Sequence, residues 1–125
     1  MRRLWAAAAL AVAVVLFWAA TSDVVYDLTS PPEFSWHVLA RKAYSIVAFA
    51  VVGFTADKAL GPSARPALRA AVLVALYSAA IEVVQFLDGS REGLIWNAVD
   101  VLCGAAGGWL GALVSRRSRG RRATR

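Results

Sequence analysis

Four long apolar runs constrain this chain more than any other feature: residues 4–20, 38–56, 70–87 and 94–114. A helix crosses the hydrocarbon core of a bilayer in about 17–25 mostly apolar residues. Inside lipid the backbone must satisfy its own hydrogen bonds, so such runs read as helices. The expectation is an all-α fold, a four-helix transmembrane bundle. Composition agrees. The chain is 59% hydrophobic over 125 residues, and its mean hydropathy is +0.57. A water-soluble domain of this size buries only about 65% of its unfolded surface, which would leave much of that apolar sequence in water. The first run also has the basic start and apolar length of a signal peptide. Trp18, however, takes the outer small position of the Trp18-Ala19-Ala20 cleavage pattern, so the run is read as a retained span.

Charge sets the expected orientation. Lys and Arg number two at the N-terminus, three in the connection 57–69 and six in the tail 116–125, all on one side of a four-pass chain. The other side has only Arg41, Lys42 and Arg91. The positive-inside rule then puts both termini in the cytoplasm, and the expected location is the plasma membrane. The connection 21–37 is interrupted by Pro31-Pro32, and the connection 57–69 by Gly61-Pro62 and Pro66. The net charge of +6 does not indicate nucleic acid, because the arginines directly follow an apolar run as in a basic cytoplasmic tail. The single cysteine, Cys103, permits no intrachain disulfide and belongs to no metal-ligand spacing. No cofactor is implied.

Ionisable groups within spans are costly, roughly 2.5–3.5 kcal/mol at a helix centre, so their depth is informative. Glu82 and Gln85 share a helix face in the third span, as do Asn97 and Asp100 in the fourth. Glu82 lies about five residues, or roughly 8 Å, from the outer end. Lys42 and Ser45 open the second span, with Arg41 beside them, and Arg91 occupies the outer turn. These groups fall at one level, above inner halves that are nearly all apolar. The pattern points to an outward-facing polar pocket in which Arg91 and Lys42 offset Glu82 and Asp100. The blander alternative is that Arg41 and Lys42 snorkel to the headgroups and that Asn97 and Asp100 are simply interfacial. The lone histidine, His37, lies beside Trp36 at the outer boundary, where amphipathic rings commonly sit.

The fourth span also carries Gly104, Gly107, Gly108 and Gly111. Gly104-x3-Gly108 and Gly107-x3-Gly111 match the small-x3-small pattern for close helix approach. Packing within the bundle is the favoured reading, and a homodimer through this span is the alternative.

Taken in order, Glu82-x2-Gln85, Arg91, Asn97-x2-Asp100 and Gly104-x3-Gly108 resemble the second half of the VanZ-like family, small bacterial multi-pass membrane proteins named for a member linked to teicoplanin resistance. Arg41-Lys42-x2-Ser45-x3-Phe49-x3-Gly53 is similar to that family's basic-x2-His-x3-Tyr-x3-Gly pattern. The resemblance extends over residues 36–112. Ser45 and Phe49 stand where the family usually has histidine and tyrosine, and the Asp/Asn pair has changed order and spacing. Chemistry that relied on that histidine and tyrosine is therefore not implied here.

The resemblance implies a role in the cell envelope, with a link to glycopeptide antibiotic resistance. The first functional expectation is a non-enzymatic protein, without catalytic residues, that binds a membrane lipid or cell-wall precursor headgroup in the polar pocket. One alternative is a membrane enzyme acting on a lipid-linked substrate, with Glu82 as general base. The other is a small four-span transporter. The uncharged first span and the clustering of polar groups at one level argue against a transport path.

Overall fold

The computed structural model describes residues 1–29, 36–89 and 93–123 of the 125. Among the described residues there are five helices and no strand: α1 (Arg2–Thr21), α2 (Asp23–Thr29), α3 (His37–Leu60), α4 (Pro66–Leu87) and α5 (Leu94–Ala123). Of these, α1, α3, α4 and α5 are long and apolar enough to span a membrane. The chain is thus an all-helical, multi-pass type of molecule. Pro31-Pro32 and Arg91 lie outside the described residues, as does the side chain of His37.

The centre of the bundle is α5, which packs against both α3 and α4, while α1 lies mainly along α3. Small residues allow the closeness. A Cβ added at Gly107 would lie 2.5 Å from the Phe49 Cβ, and one at Gly111 would overlap the Ala50 carbonyl oxygen, both on α3. At Gly108 it would meet the Ala70 carbonyl oxygen at 2.5 Å, and at Gly104 the Ser78 Cβ at 2.7 Å, both on α4. The fourth-span glycines therefore face inward, into two helix interfaces of the same chain. Between the helices lie two small apolar clusters. Phe49, Val52, Val74 and Ile81 form one, and Ala67, Ala70 and Ala112 form the other. Cys103 is buried as a free thiol. The outward faces carry exposed large apolar side chains, such as Leu10, Val15, Leu76 and Leu102, the surface that lipid solvates.

No residue of α1 is buried. It is held by Val12, Leu16 and Ala20 against the first cluster, by the Trp5 ring edge-to-face on Phe54 at 5.7 Å, and by two polar anchors from α4. The Tyr77 hydroxyl donates to the Ala13 carbonyl, and Gln85 Nε2 donates to the Ala20 carbonyl at 2.6 Å. The Trp5–Phe54 contact, together with Arg119 on Asp57, puts the N-terminus, the end of α3 and the end of α5 at one pole.

The structure differs from the sequence reading at that basic pole. The second span runs on to Leu60 and ends at Gly61, whose φ of +75° suits a residue without a side chain. Asp57 and Lys58 are therefore helical, not part of a connection. Pro66 opens α4 at its first turn, where its missing N–H costs nothing, so it starts a helix and does not break one. The basic tail continues α5 to Ala123. A 30-residue helix is about 45 Å long, well beyond a hydrocarbon core of about 30 Å, so its arginine-rich end projects from the bilayer. The connection 21–37 contains the additional short helix α2.

The half of the bundle at the basic pole is not purely apolar. Asp57 is 1% exposed. Its Oδ2 accepts from Ser115 Oγ at 2.7 Å and from Arg119 Nη2 at 2.5 Å. Its Oδ1 is buried without a hydrogen bond, 3.5 Å from Arg69 Nη2. The carboxylate thus ties α3, α4 and α5 together where the sequence suggested a solvated loop.

Candidate functional site

At the opposite pole, α1 to α5 enclose an open cavity of about 660 Å3, within the usual range of roughly 300–1,000 Å3 for small-molecule sites. Each wall follows from helix periodicity. Lys42 and Ser45 are three positions apart on α3, Glu82 and Gln85 on α4, and Asn97 and Asp100 on α5, so each pair projects from one face. All six line the cavity. Arg91 lies outside the described residues.

Lys42 Nζ meets Asp100 Oδ2 at 2.5 Å, with side chains 15% and 16% exposed. Both groups are only partly solvated, so their attraction exceeds that of a surface pair. The Lys42 ammonium also lies 5.6 Å from the centre of the Trp96 ring, within cation–π reach. Lys42 therefore points into the bundle and does not simply snorkel away from it. The sequence reading coupled Glu82 and Asp100 jointly to Arg91 and Lys42, and the geometry specifies the Lys42–Asp100 partnership.

Ser45 Oγ donates to the Lys42 carbonyl at 2.8 Å, which leaves its hydroxyl oxygen as an acceptor beside the cavity. Glu82 is half-buried on the α4 wall, one turn from Gln85. Ser78, deeper on the same helix, donates to the Asp100 carbonyl at 3.0 Å and fixes α4 against α5 below the ion pair. The deeper walls include Leu16, Phe49 and Ile81. The cavity is thus amphiphilic, with polar and charged groups from three spans over an apolar interior.

The fourth wall is one the sequence reading did not include. Tyr26 and Thr29 of α2 line the cavity, and the Arg41 guanidinium stacks over the Tyr26 ring at 4.3 Å. Arg41, for which snorkelling was the alternative reading, here docks α2 over the site. Tyr26 lies in a segment read as a connection, and no local sequence pattern marks this role. Gln85 has a second task in holding the α1 backbone.

Chemically, the six residues offer a paired cation and carboxylate, two side-chain amides, a hydroxyl and a half-buried glutamate, and Asp23, Arg41 and Asp88 add further charge to the lining. Among the described residues no group of three or more His, Cys, Asp or Glu is arranged to hold a metal ion. No protein-family model, curated protein or solved structure matches this chain.

Proposed function

We propose that this chain is a VanZ-like protein of the bacterial cell envelope. In this reading it lies in the plasma membrane with its basic pole, and so both termini, in the cytoplasm. Its cavity faces outward and binds the headgroup of a membrane lipid or cell-wall precursor without catalysing a reaction. The observation that carries the reading is the convergence of Lys42, Ser45, Glu82, Gln85, Asn97 and Asp100 on one cavity, at the pole opposite the arginine-rich ends. The arrangement suits an amphiphile. Lys42 and Asp100 would exchange part of their mutual pairing for opposite charges on a headgroup, Gln85 and Asn97 would supply donors and acceptors, and Leu16, Phe49 and Ile81 would cover an attached chain. The orientation rests on the concentration of Lys and Arg at one pole. The link to glycopeptide resistance rests on the resemblance over residues 36–112 alone.

The test is photo-crosslinking in living bacteria from a photoreactive amino acid at position 97. That position is preferable to 85, because Gln85 also anchors α1. Capture of a lipid or wall precursor that is lost in a folded Glu82→Gln variant is the expected result. Undiminished capture in that variant would count against the cavity as the binding site.

A further inference from the structure

Each of the four spans brings a cation to the basic pole. A Cβ added at Gly61 would lie 3.0 Å from the Arg2 guanidinium carbon, so Arg2 of α1 covers that glycine. Lys58 of α3 donates to Ser118 Oγ at 2.7 Å. Arg69 of α4 donates to the Gly61 carbonyl at 2.6 Å, and Arg119 of α5 grips Asp57. The carboxylate within this group is Asp57, which offsets one of the four charges. The pole therefore keeps a strong positive excess at the edge of the hydrocarbon region.

On the outward side of α4, next to this cluster, runs a shallow groove of about 480 Å3. Arg65 and Arg69 head it, and Leu68, Val72 and Leu73 continue it toward the membrane interior. Helix spacing puts Arg69, Val72 and Leu73 on one stripe, and Arg65, the N-cap residue of α4, lines the same groove just ahead of it. Arg65 is exposed, and Leu68, Val72 and Leu73 are 42–50% exposed. The Gly61 and Asp57 contacts of Arg69 both run through Nη2, one of the nitrogens of a guanidinium with five N–H donors. The groove thus joins two arginine side chains to an apolar wall.

We propose that this groove is a binding site for an anionic phospholipid of the leaflet that the termini face. The phosphate sits between Arg65 and Arg69, whose forked donors match phosphate oxygens. An acyl chain lies along Leu68, Val72 and Leu73. The positive excess selects an anionic headgroup over a zwitterionic one, and the apolar wall selects a lipid over free phosphate. This site is separate from the cavity at the other pole and does not depend on how that cavity is used.

Native mass spectrometry of the full chain in uncharged detergent tests the assignment, with phosphatidylglycerol, phosphatidylcholine and inorganic phosphate as probes. Retention of phosphatidylglycerol over phosphatidylcholine by about fivefold or more is expected, from the charge contribution of one arginine near a membrane surface. Arg65→Gln lowers that preference about fivefold. Val72→Trp, which fills the groove without changing charge, lowers retention as well. Both positions are exposed, so both variants keep the wild-type melting temperature. Arg117→Gln, which removes the same charge from the projecting end of α5, leaves retention unchanged. Equal retention of the two lipids would overturn the proposal, as would an Arg117→Gln effect as large as that of Arg65→Gln. Displacement of phosphatidylglycerol by millimolar inorganic phosphate, with Val72→Trp binding normally, would reassign the arginine pair to a soluble phosphate and equally overturn it.

Discussion

Arg119 Nη2 bonds both the carboxylate Oδ2 of Asp57, at 2.5 Å, and the Asp57 backbone carbonyl, at 2.9 Å, across 62 positions of sequence. Asp57 is fully buried while Arg119 keeps about a third of its side chain exposed, so the two partners are not equivalent. Arg119→Ala leaves a buried carboxylate with Ser115 and a longer contact to Arg69. Asp57→Ala leaves an arginine that turns into water. Breaking one side of a buried pair costs about 3–5 kcal/mol, and the exposure of Arg119 brings the expected loss for Arg119→Ala to roughly 2–3 kcal/mol. Adding Asp57→Asn to Arg119→Ala should restore part of that loss. Thermal unfolding of the single and double variants in one detergent checks it, and strictly additive losses would contradict the asymmetry.

The fourth-span glycines give a graded prediction. Gly111→Ala pushes a methyl group into the Ala50 carbonyl and the Phe54 amide of α3, backbone atoms that move only if the helices separate. A loss of about 1–3 kcal/mol, the usual cost of overpacking, is expected. Gly120→Ala, on the same helix with nothing within 4 Å of its added Cβ, should gain up to about 1 kcal/mol from helix propensity. Melting temperatures that move the same way for both would contradict the packing assigned to α5.

The polar part of the attachment of α1 should contribute only modestly. Tyr77→Phe removes the bond to the Ala13 carbonyl, and Gln85→Leu removes the bond to the Ala20 carbonyl. Interhelical hydrogen bonds in membranes average about 0.6 kcal/mol and reach about 1.7 kcal/mol. Each variant should therefore remain folded while a disulfide crosslink between cysteines placed at positions 5 and 54 forms more slowly. An unchanged crosslinking rate in the Tyr77→Phe, Gln85→Leu double variant would show that apolar contacts alone hold α1.

Lys42 and Asp100 form a test of geometry within the cavity. Lys42→Met leaves Asp100 without the partner at 2.5 Å and should lower both melting temperature and ligand capture. Lys42→Asp combined with Asp100→Lys keeps the pair and should recover stability while capture stays impaired, because the headgroup would meet charges in reversed positions. Recovery of both together would mean that the pair is purely structural.

The spans were legible because run length and composition alone identify a bilayer-crossing helix. The polar wall was legible because Glu82/Gln85 and Asn97/Asp100 are spaced for one helix face. The basic pole was not. Asp57 and Lys58 precede Gly61-Pro62, and charge beside helix breakers resembles a loop; what buries Asp57 is an arginine from a segment that looks like a disordered basic tail. Arginine has a good helix propensity, so α5 continues once Arg119 is anchored, but no local pattern reveals that anchor. The attachment of α1 was hidden for a different reason. Its acceptors are the Ala13 and Ala20 backbone carbonyls, which leave no mark on the sequence. Tyr26 and α2 were missed because a seven-residue helix is too short for periodicity to mark.

The central claim is that the cavity opposite the basic pole is a binding site for an amphiphile of the envelope. Crosslinking in living cells from position 97, followed by mass analysis of the adduct, tests it most directly. The expected result is a lipid or wall-precursor adduct that disappears in a Glu82→Gln variant with an unchanged melting temperature. An empty or unspecific adduct profile, identical in the wild type and in that variant, would contradict it and leave Glu82 and its neighbours as groups that hold the helices together.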